Sequence, residues 1–252
     1  MQPARYCIDL SRTEALLGGD AVARLAASHV AVVGVGGVGG WCAEALVRTG
    51  VGRLTLVDDD VVAPSNANRQ CPATWDAMGR KKVEAMRDRL LAVNPNCSVE
   101  ARCARFPSGP AASEWALSEF DCIVDAIDSV DCKAALLLAA DEAGVPFVSS
   151  MGAALRFDPT KVAVRPFRKV EGDGLARALR QRFRKLGRFP AADFPCVCSM
   201  EASSAALQAG VKGSLMQVTC TFGMALAAQA VAICAGPVSG GGAAAGASAR
   251  KP

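Results

Sequence analysis

The sequence predicts an α/β protein with a doubly wound, mostly parallel sheet and a C-terminal α+β extension. Three observations favour this fold. Short apolar strands alternate with helices between residues 29 and 151. A glycine-rich turn joins the first of these strands to the helix after it. The 252 residues, of which 51% are hydrophobic, suffice for one large domain with a buried core.

The elements follow in chain order. The apolar run "HVAVVGV" from His29 predicts a short buried strand, and after the glycine turn "VGGWCAEALVRTG" predicts a helix that ends at Gly50. The next predicted strands are "RLTLVD", "SVEARC", "DCIVDAID" and "VPFVSSMG", and the next predicted helices are "GRKKVEAMRDRLLAVNP" and "DCKAALLLAADEAG". This alternation indicates a Rossmann-like, nucleotide-binding part over residues 29–151.

The pattern changes after residue 151. "LRFDPTKVAVRPF" predicts two short strands around a turn at Asp158-Pro159, and "GLARALRQRFRKLG" predicts an amphipathic helix. The uncharged stretch "SLMQVTCTFGMALAAQAVAICAG" is near membrane-spanning length, but its threonines, glutamine and alanines favour a buried helix. We expect one domain over residues 1–236, with a basic substrate-binding extension over 152–236, and a disordered tail over 237–252.

The opening of the chain and its cysteines indicate the compartment. "MQPARYCIDLSRTEALL" has no continuous apolar run or cleavage site, so we expect a cytoplasmic protein; peripheral or C-terminal-helix membrane association is the alternative. The 11 cysteines include no Cys-x-x-Cys pair, and the closest spacing is that of Cys196 and Cys198. We therefore expect reduced thiols and no structural zinc.

Positive charge is concentrated in one segment. Residues 156–190 contain 11 Lys/Arg and 3 Asp/Glu, although the net charge of the whole chain is only +4. Arg177, Arg180 and Arg184 fall on one face of the predicted amphipathic helix. This face predicts contacts with a polyanionic partner; a solvated helix face is the alternative interpretation.

The glycine turn predicts a nucleotide site. Its pattern is Gly34-x-Gly36-x-x-Gly39, and such a turn lets phosphates approach the backbone and the positive end of the following helix. Asp58 ends the second strand, 24 residues after Gly34, where a carboxylate can accept hydrogen bonds from ribose hydroxyls. Asp60 follows in the same acidic cluster. The glycines alone do not distinguish a redox dinucleotide from ATP.

Polar and cationic residues further along favour ATP and adenylation. Asn66 and Arg69 follow the second strand, in "SNANRQ" after Ser65, and Lys82 lies 13 residues beyond Arg69. When a carboxylate attacks the α-phosphorus, the charge on the phosphate oxygens must be neutralised by Arg, Lys and Mg²⁺. Asp128, followed by Ser129 after the fourth strand, is placed to help hold that Mg²⁺. A site for NAD would leave these cations unexplained.

With these motifs in hand, the chain resembles the ThiF family of ubiquitin-activating-enzyme-like adenylyltransferases. The resemblance runs from about Arg12 to Met151, with "GVGGVGG", "LVDDD", "SNANRQ", "GRKKVE" and "DAIDS" in order. It implies ATP and Mg²⁺ as cofactors, with Gly37 at the phosphates and Asp58 at the ribose. The remaining assignments that it implies are a catalytic polar set of Asn66, Arg69 and Lys82, a metal-facing Asp128, and Arg12 (or, less favoured, Arg5) reaching the ATP of the partner in a homodimer.

Within the family, the opening segment, "DAIDSVDCKAAL", "CSMEAS" and "TFGMALA" are similar to the branch that dehydrates threonylcarbamoyladenosine in tRNA. This resemblance implies ATP-dependent adenylation of the threonyl carboxylate, followed by cyclisation. It also implies tRNA rather than DNA as the partner, with a sulfur-relay protein as a further candidate. The alternative is an adenylyltransferase that activates the C-terminal glycine of a ubiquitin-like sulfur-carrier protein. An NAD-binding oxidoreductase or a nucleotide sensor is a third interpretation.

Overall fold

The computed structural model describes residues 8–201 and 212–237. A single sheet of seven strands lies at its centre. The strand order is β3-β2-β1-β4-β5-β7-β6, and all neighbours are parallel except the β6–β7 pair. The strands are β1 (His29–Val33), β2 (Arg53–Val57), β3 (Ser98–Arg102), β4 (Cys122–Asp125), β5 (Phe147–Ser150), β6 (Val162–Pro166) and β7 (Pro195–Ser199).

Helices cover both faces of this sheet. Within the described ranges they are α1 (Ser11–Leu17), α2 (Gly19–Ala27), α3 (Gly39–Thr49), α4 (Lys82–Val93), α5 (Val130–Glu142), α6 (Gly174–Leu186) and α7 (Met216–Ala235). Helices α2, α3, α4 and α7 pack with one set of inward-facing strand residues, and α5 and α6 pack with the alternate set. This two-sided burial explains the continuous apolar runs of the central strands.

The order of the strands places the site. The chain proceeds outwards from β1 to β2 and β3, and then returns to place β4 on the other side of β1. Val33 pairs with both Val57 and Asp125, so β1, β2 and β4 end at the same level. The loops that leave β1 and β4 diverge at this point, which opens a crevice at the carboxyl ends of the strands.

Helix α7 is the apolar helix that the sequence predicts to be buried. It is long and apolar enough to be a membrane-span candidate, but half of its most apolar window is buried inside the molecule. Gly223 explains how closely it packs on α3, because a Cβ at this position would lie 2.6 Å from the carbonyl oxygen of Val38. Val218, Phe222 and Leu226 are fully buried. These contacts are those of a core helix.

The fold class is confirmed, and the extension needs one correction. Residues 155–157, the predicted first strand of "LRFDPTKVAVRPF", form no strand. Leu155 has a left-handed φ of 61°, which breaks an extended backbone. The antiparallel partner of β6 is instead β7, which the sequence analysis did not predict. The predicted tail lies outside the described residues, apart from Pro237.

Candidate active site

A cavity of about 810 Å³ opens at the carboxyl ends of the strands, within the usual range for a small-molecule site. The loops after β1, β2, β3, β4 and β5 line it, together with the first turn of α6 and parts of residues 212–219. It brings together most of the predicted nucleotide and catalytic residues: Gly34, Gly36, Gly37, Asp58, Asp60, Asn66, Arg69, Lys82, Asp128 and Ser129. Gly39 and Ser65 lie beside the cavity and do not line it.

The glycine turn requires glycine at two positions for steric reasons. Gly34 has a φ of +94°, and a Cβ there would lie 2.6 Å from the carbonyl oxygen of Ala126. A Cβ on Gly39 would lie 1.8 Å from the carbonyl oxygen of Gly34. Helix α3 begins at Gly39, and no side chain caps its first turn. The N–H groups of Gly34 and Val35 are bonded within the protein, but those of Gly36 and Gly37 have no partner in the described part of the chain and are free to bind phosphate.

Asp58 connects the end of β2 to the glycine turn. Its carboxylate accepts hydrogen bonds from the backbone N–H of Val35 at 2.7 Å and of Asp60 at 2.9 Å. Burial raises the pKa of Asp58, although these hydrogen bonds and the charge of Lys82 oppose the effect. A carboxylate held in this way keeps further acceptor capacity for ribose hydroxyls.

The segment after β2 places the side chain of Arg69 against the turn. Asn66 accepts the N–H of Ala63 through its side-chain oxygen at 3.0 Å, which fixes the start of the segment. Arg69 donates from Nη1 to the Ser65 carbonyl at 3.0 Å, so Ser65 contributes its backbone. The Cγ of Arg69 would lie 3.3 Å from a Cβ on Gly37. Arg69 therefore lies against the part of the turn where phosphates are expected.

Lys82 adds a second cation from the first residue of α4. Its Nζ lies 2.7 Å from Asp60 Oδ2. The Lys82 side chain is only 5% exposed, whereas that of Asp60 is 67% exposed. Water therefore reaches the carboxylate partner, and the ammonium group is held at the wall of the cavity. Such a preorganised cation can stabilise negative charge that develops on phosphate oxygens.

The same cavity contains the acids that could hold a divalent cation. Carboxylate oxygens of Asp58, Asp59 and Asp60 lie within 4.8 Å of one another, and Asp128 lines the cavity from the β4 side. Carboxylate oxygens are the ligands that Mg²⁺ prefers. The residues present therefore fit the predicted Mg²⁺, with the Asp128 carboxylate as a ligand.

Comparison with known proteins decides the family. The sequence matches the ThiF family over residues 10–241. The chain belongs to the ThiF family. It is 35% identical over 244 residues to the tRNA threonylcarbamoyladenosine dehydratase of Escherichia coli (strain K12), covering 87% of this chain and 90% of that protein. The corresponding dehydratase of Bacillus subtilis (strain 168) is 38% identical over 70% of this chain and 69% of that protein.

A solved structure shows the same fold. The crystal structure of the E. coli tRNA N6-threonylcarbamoyladenosine dehydratase in complex with ATP has a TM-score of 0.83 to this ThiF-family chain at 35% identity. The match covers 89% of this chain and 93% of that one. The family resemblance stated from the motifs is therefore confirmed, and a ThiF-family relative with the same fold binds ATP.

In this ThiF-family chain the basic helix begins at the cavity. Asp173 caps α6 by accepting the N–H of Ala176 at 2.8 Å, and Gly174 and Leu175 of the first turn line the cavity. Arg177 and Arg184 are exposed, as the sequence predicts. Arg180 is not free on that face. It is half-buried, donates to the carbonyl of Phe167 at 2.8 Å, and lies 5.0 Å from the centre of the Phe167 ring.

The N-terminal arginine lies away from the cavity of its own chain. Arg12 is an exposed residue of α1, a helix that buries none of its residues. Leu16 of the same helix is 79% exposed. Arg12 does not line the cavity, and Arg5 lies outside the described residues. The assignment of Arg12 to the ATP of a partner therefore stays a prediction.

Cys196 and Cys198 are separated by one residue on the buried strand β7. Burial raises the pKa of both thiols. Both belong to the apolar cluster beneath α5 and α6. They serve as small core residues here, and the expectation that the protein holds no structural zinc stays a prediction.

Several further polar residues of the cavity escaped sequence reasoning, among them Gln70, Arg105 and Lys212. Gln70 is buried with its Oε1 atom unpaired, and its position directly after Arg69 is the one signal that could have found it. Arg105 follows β3, and its pKa is raised by a hydrogen bond to Cys132 and by the nearby acids. Lys212 lines the cavity from the segment before α7. Nothing in the sequence around Arg105 or Lys212 distinguishes either residue from an ordinary surface cation.

Proposed function

We propose that this protein is an ATP-dependent dehydratase, which adenylates the threonyl carboxylate of threonylcarbamoyladenosine in tRNA and promotes its cyclisation. The observation that carries the proposal is one cavity in which Arg69 and Lys82 face the same space as the glycine turn and Asp58. The relatives in E. coli and B. subtilis are dehydratases of this kind and support tRNA over a sulfur-carrier protein as the substrate.

The first step is transfer of AMP to the carboxylate. An oxygen of the threonyl carboxylate attacks the α-phosphorus of ATP, and the bond to pyrophosphate breaks. Arg69 and Lys82 stabilise the negative charge that develops on the phosphate oxygens and on the leaving group. Asp58 holds the ribose, so that the α-phosphate stays in a fixed position above the glycine turn.

The second step closes a ring within the substrate. The carbamoyl group attacks the activated carbonyl, the bond to AMP breaks, and a proton leaves the attacking group. The product has lost the elements of water relative to the starting nucleoside. Since the nucleophile belongs to the substrate, the enzyme needs no cysteine at the reacting carbon.

Magnesium is the cofactor that this chemistry requires beside ATP. Asp128 would hold it, and the remaining ligands would be phosphate oxygens and water. When bound, Mg²⁺ neutralises phosphate charge and orients the leaving pyrophosphate. The Asp128 carboxylate would position the ion, and the charge of the ion would offset the repulsion between this carboxylate and the nucleotide phosphates.

The direct test is to incubate the purified protein with Mg-ATP and bulk tRNA and to digest the tRNA to nucleosides. We expect a threonylcarbamoyladenosine derivative lighter by one water, formed only when ATP is present. Release of AMP and pyrophosphate should accompany it in equal amounts. ATP consumption with a ubiquitin-like carrier protein, but not with tRNA, would favour the alternative.

We also propose that the protein is a cytoplasmic homodimer in which Arg12 acts on the partner's ATP. Its exposed position on α1 supports this, because it lies outside the cavity of its own chain. We expect Arg12→Ala and Lys82→Ala to be inactive alone. After subunit exchange in a 1:1 mixture, about a quarter of the sites should be intact, since each mixed dimer restores one site. No recovery after proven exchange would contradict action in trans.

The exposed arginines of α6 are proposed to contact tRNA phosphates. The helix begins at the cavity wall, so a substrate bound there would extend along it. We expect Arg177→Glu and Arg184→Glu each to weaken tRNA binding and to lower the slope of log affinity against log salt by about one. ATP affinity should not change.

The matched control for these substitutions is Arg53→Glu. Arg53 is an exposed arginine at the amino end of β2, on the opposite edge of the sheet from the cavity. Arg53→Glu makes the same change in charge, but residue 53 lies outside the proposed tRNA-binding face of α6. If the salt slope is the same for Arg184→Glu, Arg53→Glu and the parent protein, α6 does not belong to the tRNA interface. A sulfur-relay protein remains a further candidate partner, to be sought by the same binding assay.

A further inference from the structure

A buried ion pair lies beneath the cavity, and the proposed mechanism does not use it. Lys133 of α5 places its Nζ 2.6 Å from Asp125 Oδ2 at the end of β4, and neither side chain has exposed surface. Ser149 of β5 donates its hydroxyl to the same oxygen at 2.6 Å. Burying two charges carries a desolvation cost that an apolar pair would avoid, so stability alone does not account for this arrangement.

Hydrogen bonds connect this ion pair to the loop that carries Asp128. The other oxygen of Asp125 accepts the N–H of Ile127 at 3.1 Å. On the far side of Asp128, the N–H of Lys133 donates to the carbonyl of Ser129 at 2.9 Å. The second is a backbone bond of the first turn of α5, so only the bond to Ile127, immediately before Asp128, depends on a side chain of the ion pair.

The same loop is also anchored to the glycine turn. Ala126 donates its N–H to the carbonyl of Val33 at 2.8 Å. The Ala126 carbonyl faces Gly34 so closely that a Cβ there would lie 2.6 Å away. A shift of this loop would therefore change the distance between Asp128 and the turn where phosphates are expected.

We infer that Asp125, Lys133 and Ser149 form a positioning group that fixes Asp128 for binding of Mg-ATP. The inference rests on the proposed function, which assigns Asp128 to the metal. Lys133 and Ser149 hold one oxygen of Asp125, and this leaves the other oxygen directed at the loop. Without the ammonium group the carboxylate can rotate, and the loop loses its fixed place. Residues that orient ligands in this way affect metal affinity or activity by about 10- to 100-fold.

The test compares Lys133→Met and Ser149→Ala with Thr55→Val. Methionine replaces the aliphatic part of lysine at nearly the same length and removes the ammonium group. Thr55 of β2 is the control, because its hydroxyl is also fully buried and pairs with His29 Nε2 at 2.8 Å, away from the cavity. ATP affinity is measured by calorimetry with and without Mg²⁺, and thermal melting is recorded for each variant.

We expect all three variants to melt at lower temperature, but only the first two to change the metal response. The Mg²⁺ concentration for half-maximal enhancement of ATP binding should rise by about tenfold or more in Lys133→Met, and by less in Ser149→Ala. ATP affinity without metal should stay near that of the parent. If Lys133→Met does not fold, Ser149→Ala decides.

A metal response in Lys133→Met and Ser149→Ala equal to that of Thr55→Val would overturn the inference. So would a parent protein whose ATP affinity does not depend on Mg²⁺. These outcomes are separate from failure of the proposed function: a protein that binds Mg-ATP as expected and leaves tRNA unchanged would lose only the dehydratase assignment.

Discussion

Lys82→Ala is expected to lower kcat for formation of the dehydrated nucleoside by roughly 10²–10³-fold, the usual cost of removing one preorganised group that stabilises developing charge. The lysine Nζ stands at the cavity wall with Asp60, and its side chain is 5% exposed, so bulk water cannot replace it at that place. The loss in kcat should exceed the loss in ATP affinity, because the charge on the phosphate oxygens grows during transfer.

The variant should remain folded, because the carboxylate left behind on Asp60 is 67% exposed and stays hydrated. Lys81→Ala is the matched control: it removes an adjacent lysine that is exposed and does not line the cavity. Pyrophosphate exchange and nucleoside analysis measure the effect. If kcat were the same for Lys82→Ala and Lys81→Ala, Lys82 would not be a catalytic residue.

Gly39→Ala is expected to weaken ATP binding and to lower the melting temperature. The added Cβ would lie 1.8 Å from the carbonyl oxygen of Gly34, which is backbone and cannot move without displacing the turn. Overpacking of this kind costs about 1–3 kcal/mol or more of folding stability. Displacement of the turn also moves the N–H groups that would bind phosphate, so the loss of ATP affinity should be at least about tenfold, or 1.4 kcal/mol.

Gly36→Ala is the control for the melting temperature. The nearest atom to a Cβ on Gly36 is 3.9 Å away, which is an ordinary contact. The melting temperature of Gly36→Ala should therefore be close to that of the parent, whereas that of Gly39→Ala should fall by several degrees. Equal melting temperatures for the two variants would show that the turn adapts to a side chain at residue 39.

The sequence predicted the nucleotide-binding part well because its strands, turns and helix ends depend on residues that are close together in the chain. The buried run from His29, the turn with Gly34 and Gly39, and Gly50 with its φ of +103° at the end of α3 all appear in the structure. Alternation then implied the parallel sheet, and the sheet placed Asp58 and Asp128 at one edge.

The extension was harder to predict because its pairing is not local. Strand β7 pairs with β5 and β6, and long stretches of chain separate it from both partners. The helical periodicity placed Arg180 beside Arg177, but periodicity cannot tell that Phe167 offers its ring and carbonyl to this guanidinium. Lys212 and Arg105 reach the cavity only through the tertiary fold.

The packing of α7 has a consequence for synthesis of the chain. The face of β4 and β5 that includes Val124 and Val148 is covered by α7, whose Phe222 and Leu226 are translated more than 70 residues later than these two strand residues. Until α7 leaves the ribosome, a nascent chain exposes that apolar face, and contacts of such long sequence separation form slowly. Chains that stop before α7 should accumulate with chaperones or in aggregates, so the yield of soluble enzyme depends on the last helix reaching its groove.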